Sequence, residues 1–261
     1  MKLSDLISNT YFRKNFWEFL LILEDTLWIS KTDVYTKDIT IPDKTLNKIY
    51  EKYDKFTKSK IPIEYILWYT YFYWEKFFVN ENVLIPRPET EYLVKYVLEK
   101  NKNYDIIFDI WTWSGVIWIT LAKITWKKTI LSDISKNALS IAKKNANNIC
   151  KNCNLEFVNA DLWNFINNYD WNKIVSANLP YIDESYSLDE YSKHEPYIAL
   201  FSNDKWLFLY KNLLSQLEIW TMFAFEMTYE QAENIVKNFK LKADIFDTCH
   251  NNIKILIWKK I

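Results

Sequence analysis

The sequence predicts an α/β fold: a mostly parallel seven-stranded sheet, preceded by a small helical domain and a β-hairpin linker. Three observations carry this. From Asp105 onward, apolar strand-like runs alternate with helix-periodic stretches, the pattern of a parallel sheet with helices on both faces. Residues 1 to about 60 instead repeat apolar side chains at helical spacing. Of the 261 residues, 49% are apolar, enough for one large domain or a small one beside a medium one.

Taken in order, Phe16, Phe19, Leu20 and Leu23 form one helical stripe, and Leu46, Ile49, Tyr50 and Tyr53 form another. Ile41-Pro42-Asp43 reads as a helix entry, so three or four short helices are expected over residues 1–64. Such a bundle either grips a partner or caps its neighbour. The linker, residues 65–88, carries Tyr69–Tyr73 and Phe77–Val79 around Trp74-Glu75-Lys76, a hairpin pattern. Pro86 and Pro88 hold Arg87 in extended chain, where it either faces a carboxylate or braces the linker. Glu89 and Glu91 open a helix running to about Lys100, suiting the helix dipole, and begin the domain at 89–261. Strands are expected at 105–110, 128–133, 154–158, 172–178, 220–227, 241–247 and 253–259. Helices are expected at 115–124, 135–149, 161–168, 204–218 and 229–239.

Lys+Arg and Asp+Glu balance at 33 each, which leaves no global field to attract nucleic acid. The sequence shows no N-terminal apolar leader and no long apolar run, so neither a secreted nor a membrane-spanning protein is expected. The three cysteines, Cys150, Cys153 and Cys249, make no disulfide framework, and no second Cys/His pair completes a metal site. A reducing cytoplasm is the expected compartment.

One number is abnormal. The chain has 1 Gly against 13 Trp, although glycine normally makes up about 7% of a protein. Tight turns need φ > 0 and close backbone approach, which glycine supplies. Trp74, Trp111, Trp113, Trp126 and Trp220 stand at turn or loop positions where glycine is expected. Hence the hypothesis that many of these codons are UGA, read as glycine in the source organism. The alternative is a genuinely tryptophan-rich protein.

Chemistry concentrates at the expected strand ends. Asp109-Ile110-Trp111-Thr112-Trp113-Ser114-Gly115 leaves the first strand and opens a helix; with glycine at 111 and 113 it becomes a nucleotide-binding turn at a helix N-terminus. Asp133 ends the second strand, where a carboxylate binds ribose hydroxyls or simply caps a helix. Asp161 and Leu162 follow the third strand, placed to meet an amino group and the face of a base. After the fourth come Asn178-Leu179-Pro180-Tyr181. There the Asn178 side-chain oxygen and the Leu179 carbonyl can accept the two N–H bonds of an NH2 group. Pro180 stiffens the turn, and Tyr181 offers a ring face. Four residues forming an ordinary turn is the alternative.

In this order, the motifs resemble the protein-(glutamine-N5) methyltransferases of peptide-chain release factors, the HemK/PrmC family. The matching pieces are Val83–Glu91, the 109–115 loop, Asp133, Asp161 and Asn178–Ile182, then His194-Glu195-Pro196, Ala199-Leu200 and Phe223–Glu226. The resemblance covers roughly residues 60–261. Two departures stand out: Leu179 replaces the family's first proline in Asn-Pro-Pro-Tyr, and Trp111 and Trp113 replace glycines. It implies a Rossmann-like class I S-adenosylmethionine-dependent methyltransferase fold. The implied cofactor is S-adenosyl-L-methionine, held by Trp111, Thr112, Trp113, Ser114, Gly115, Asp133, Asp161, Leu162 and Asn178. Catalysis is implied at Asn178, Pro180 and Tyr181, with Leu179 and Arg87 joining them in holding the substrate. The implied partner is a release factor, recognised by the N-terminal helices of a monomer, with no metal, no membrane and no direct nucleic acid. A nucleic-acid N6-adenine methyltransferase uses similar geometry, and a binding module closed by tryptophans is the non-enzymatic alternative.

Overall fold

The computed structural model describes residues 1–100, 104–161, 165–169, 172–180, 182, 185–201, 206–216, 221–241, 243–249 and 252–259. They divide into two compact units, Met1–Trp68 with Leu188–His194, and Tyr69–Ser187 with Glu195–Ile261.

The first unit holds five short α-helices, more than the three or four expected: α1 (Leu3–Ser8), α2 (Phe16–Leu27), α3 (Lys31–Thr36), α4 (Asp43–Thr57) and α5 (Ile63–Leu67), with a 3-10 turn at Thr10–Asn15. Periodicity found α2 and α4. The short helices are specified by caps instead, as where Ser30 and Asp33 form a capping box at the start of α3. Pro42 precedes α4, as its fixed φ favours. Ile49, Tyr53 and Phe56 of α4 are buried, and Phe12 stacks on Phe19 and meets Tyr53 edge-on, making an aromatic core.

The second unit opens with a hairpin, β1 (Tyr69–Phe72) and β2 (Glu75–Phe78), whose turn is the two residues Tyr73-Trp74 rather than 74–76. Both have positive φ, the conformation of a type I′ turn, whose twist matches the strands. Helix α6 (Thr90–Lys100) follows. Strands and helices then alternate: β3 (Ile106–Ile110), α7 (Val116–Thr125), β4 (Lys128–Asp133), α8 (Lys136–Ile149), β5 (Leu155–Asn159) and β6 (Lys173–Ala177). After them come α9 (Tyr197–Leu200), α10 (Trp206–Gln216), β7 (Met222–Thr228), α11 (Tyr229–Phe239), β8 (Asp244–Asp247) and β9 (Ile253–Lys259). The helix expected at 161–168 is not seen: its described part is a 3-10 turn, Ile166–Asn168.

The sheet order is β5-β4-β3-β6-β7-β9-β8. β5 through β7 are parallel, and β9 runs antiparallel between β7 and β8. β3 and β6 are buried along their whole lengths, as strands covered on both faces must be. The chain winds outward from β3 through β4 to β5, then returns to place β6 on the other side of β3. The strand order therefore reverses between β3 and β6, the position where open α/β sheets bind ligands. Cys150 and Cys153 are joined in a local disulfide after α8, and Cys249 is free. Among the described residues no helix is long and apolar enough to cross a membrane.

Candidate active site

Ile110 of β3 pairs with Ala177 of β6, so the loops that follow, beginning at Trp111 and Asn178, leave the sheet side by side. The two predicted motifs therefore meet at the switch point.

The first loop is tightly tied down. Thr112 N–H donates to the Ser132 carbonyl (3.0 Å), Thr112 Oγ1 donates to Asp109 Oδ2, and Ser132 Oγ donates to the Asp109 carbonyl (3.0 Å). Gly115, at φ +79°, turns the chain into α7, and a Cβ there would meet Ile119 Cδ1 at 2.6 Å. Glycine is the residue such a position requires. Asn145 of α8 is buried and was not anticipated. Its Nδ2 donates to the Ser114 carbonyl (2.8 Å) and the Phe78 carbonyl (3.0 Å), while its Oδ1 accepts from Phe78 N–H (2.7 Å). Burial without charge partners pushes the Asp109 carboxyl far above the usual range.

Trp111 and Trp113 sit in this loop with left-handed backbones, φ 60° and 51°. Each such residue costs roughly 1–2 kcal/mol when it carries a Cβ. Their indoles are 8% and 6% exposed and meet edge-on, centroids 6.0 Å apart. Neither Nε1 has a hydrogen-bond partner, and Ser114 Oγ and Asp109 Oδ1 nearby also lack one. Asp133 stands at the end of β4 as expected, but it is buried. Its Oδ2 accepts from Trp113 N–H (3.0 Å) and its Oδ1 from Ser135 N–H (2.8 Å). Desolvation raises its carboxyl. Asp161 lies just past β5 and is exposed. Leu162 and Tyr181 lie outside the described residues, as do Trp220 and His250.

The second loop is open. Asn178 Nδ2 donates to Glu226 Oε1 across the β6–β7 pair (2.9 Å). Asn178, Glu226, Leu84, Arg87, Ile182, Ala199 and Leu200 line a cavity of about 80 Å³. Leu179 and Pro180, which follow Asn178, are buried. Ile182 N–H donates to the Leu200 carbonyl (3.0 Å), which ties the stretch to α9. Glu226 is fully buried, and desolvation raises its carboxyl to about 7. Arg87 pairs with Glu195, whose Oε2 also accepts from Ile85 N–H (3.0 Å). The guanidinium thus both faces a carboxylate and borders the cavity, so the two readings of Arg87 merge.

The architecture has wide precedent. A solved structure of the hMettl16 catalytic domain with an RNA hairpin superposes with a TM-score of 0.54 at 10% identity, covering 94% of this chain and 91% of that one. No family profile matches the chain. Sequence relatives are more telling. A Mycoplasma mycoides release factor glutamine methyltransferase is 36% identical over 208 residues, 76% of this chain and 70% of that protein. The chain belongs to the release factor glutamine methyltransferase family. The Bacillus subtilis member is 33% identical over 209 residues, covering 74% of this chain and 72% of its own length. The Lactococcus lactis member is 39% identical over 174 residues, 65% of this chain, and the match spans only 63% of the Lactococcus protein.

The fold is accordingly the class I methyltransferase fold. For a family member the site divides in two. Asn178, Glu226 and Arg87 give the cavity its polar lining, with Leu84, Ile182, Ala199 and Leu200 as its apolar part. S-adenosylmethionine, the donor the family implies, does not fit the residues at 111 and 113 as they stand. Two buried indoles fill the loop, and their ring nitrogens have no partner. Glu226 and Asn145 are the functional and supporting residues that motif reading left without a role. Only the Phe-Ala-Phe-Glu match hinted at Glu226, and nothing in the local sequence marks Asn145.

Proposed function

We propose that this chain methylates the side-chain amide nitrogen (N5) of the glutamine in the Gly-Gly-Gln motif of peptide-chain release factors, with S-adenosyl-L-methionine as donor. The observation that carries the reading is the Asn178–Glu226 hydrogen bond at the floor of the cavity. Glu226 Oε1 accepts from the Asn178 NH2, and a carboxyl protonated on its other oxygen still accepts there, so Glu226 holds that NH2 toward itself. The Asn178 Oδ1 is then left to accept a substrate N–H.

A glutamine amide is a poor nucleophile because its nitrogen lone pair is delocalised into the carbonyl. Two acceptors, Asn178 Oδ1 and the Leu179 carbonyl, fix the NH2 group in one orientation. Orientation of this kind supplies up to about 7–11 kcal/mol in model reactions. Pro180 keeps the turn stiff. Tyr181 packs against the flat amide, and Arg87, anchored by Glu195, borders the entrance. Neither His194 nor His250 has a part in this reading, and His194 Nε2 lies 3.0 Å from the Ser59 carbonyl. In this reading the helical unit recognises the release factor, the protein works in the cytoplasm as a monomer, and neither nucleic acid nor membrane takes part.

With Trp111→Gly and Trp113→Gly in place to admit the donor, methyl transfer from labelled donor to a release factor, with RNA and DNA in parallel, tests the substrate. Label on the release-factor glutamine is expected. Label on adenine instead would move the chain to the nucleic-acid N6-adenine methyltransferases.

A further inference from the structure

Among the described residues, ten non-glycine positions have φ in the left-handed region, and six of them are tryptophan: Trp28, Trp68, Trp74, Trp111, Trp113 and Trp126. The 16 Phe and 18 Tyr contribute one, Tyr73. An aromatic ring therefore does not explain the bias. Left-handed backbone in ordinary L-residues favours Asn, Asp and His after glycine, never tryptophan.

The six also occupy the three kinds of place where glycine is demanded. Trp28, Trp68 and Trp126 close α2, α5 and α7, each donating its N–H to a carbonyl of the last turn, as C-terminal glycines do. At the end of α2 the Ile29 N–H also reaches the Glu24 carbonyl (3.3 Å), the six-to-one bond found in Schellman caps. Trp74 is the second residue of the type I′ hairpin turn, the place of glycine in Asn-Gly turns. Trp111 and Trp113 alternate with Thr112 and Ser114 ahead of Gly115 in the strand-to-helix loop. Four of the indoles show no gain that offsets the strain. Trp28 and Trp74 are 92% and 96% exposed, and Trp111 and Trp113 bury ring nitrogens without partners.

We infer that positions 28, 68, 74, 111, 113 and 126 are glycine in the natural protein, the tryptophans being a standard-code reading of UGA codons reassigned to glycine. The inference rests on backbone conformation and stands apart from the substrate reading. Its consequence is chemical: with no side chain at 111 and 113, the loop exposes its backbone N–H groups at the head of α7, a cradle for an anionic or nucleoside-like ligand.

The codons of the gene and the peptide masses of protein purified from its natural host decide it. UGA at the six positions and glycine in the native peptides are expected. UGG codons there, or tryptophan at 111 and 113 in the native protein, overturn it. A second test needs no natural host. Trp74→Gly in the chain as written should raise Tm by about 2–4 °C, because glycine relieves a strain of that order. Trp74→Ala, which keeps the Cβ, should gain far less. A fall in Tm with Trp74→Gly would mean that the exposed indole is a working part of the turn, and the inference fails. Calorimetry with S-adenosylhomocysteine should show binding only after Trp111→Gly and Trp113→Gly. Equal binding by the chain as written overturns the inference for that loop.

Discussion

β3 and β6 lie side by side, yet the loops leaving their carboxyl ends are in opposite conditions. The β6 loop presents Asn178 already held by Glu226, beside an open cavity. The β3 loop is bonded just as densely through Thr112, Asp109 and Asn145, but is filled by two indoles with unpartnered nitrogens. The difference teaches that a loop can be firmly tied to the sheet by hydrogen bonds and still be shut by two side chains. Backbone geometry, not contact density, shows which loop carries the wrong residue.

The comparison breaks first at Asn178. With Trp111→Gly and Trp113→Gly in place, Asn178→Ala should leave donor affinity intact while turnover falls about 100- to 1,000-fold, the usual loss of a transition-state hydrogen bond. Labelled methyl transfer beside calorimetry checks both halves, and wild-type turnover would remove Asn178 from its role.

Glu226 sharpens it next. Glu226→Ala frees the Asn178 amide to rotate and should cost turnover on the order of 100-fold, the scale of a misplaced reacting group. Glu226→Gln, which still offers an acceptor, should keep most of it. The same residue sets a pH dependence of stability. Its carboxyl stands at about 7 in the fold against an ordinary 4.5, so the folded state holds the proton more tightly. That contribution, at most about 3 kcal/mol, is full below about pH 4.5 and is lost as pH rises through about 7. Urea unfolding across that window should show the slope in the unaltered chain and flatten it in Glu226→Gln.

Smaller effects probe what holds each loop. Asn145→Ala removes three hydrogen bonds, two to Phe78 and one to the buried Ser114 carbonyl, and should cost about 1–3 kcal/mol in urea unfolding. Arg87→Ala strips Glu195 of its cation while Ile85 N–H remains. Because the guanidinium is 37% exposed, the loss should be nearer 1–2 kcal/mol than the full penalty of a buried pair. Arg87→Ala with Glu195→Gln should recover most of it.

The alternation of apolar strands and periodic helices carried the sheet, because central strands such as β3 and β6 are buried along their lengths and helices such as α8 and α11 bear a distinct buried face. Six of the seven strands appear within about two residues of their expected bounds, as boundaries usually do, while the one expected at 241–247 begins three residues later, at Asp244. The short helices α1, α3 and α5 were under-counted, since five or six residues are too few to show a period. Strand-end residues such as Asp133 and Asn178 were legible because chemistry clusters where strands stop. Glu226 and Asn145 were not, for their partners lie 48 and 67 residues away in sequence. The Trp-for-Gly pattern was visible in composition. The φ angles say which tryptophans it concerns.

Asn145 has one further effect. A two-stranded ribbon such as β1–β2 is barely stable by itself. One carboxamide on α8 joins it to the turn before α7. The two segments therefore open together or not at all, and in hydrogen exchange the amide of Phe78 should lose its protection in step with those around Ser114.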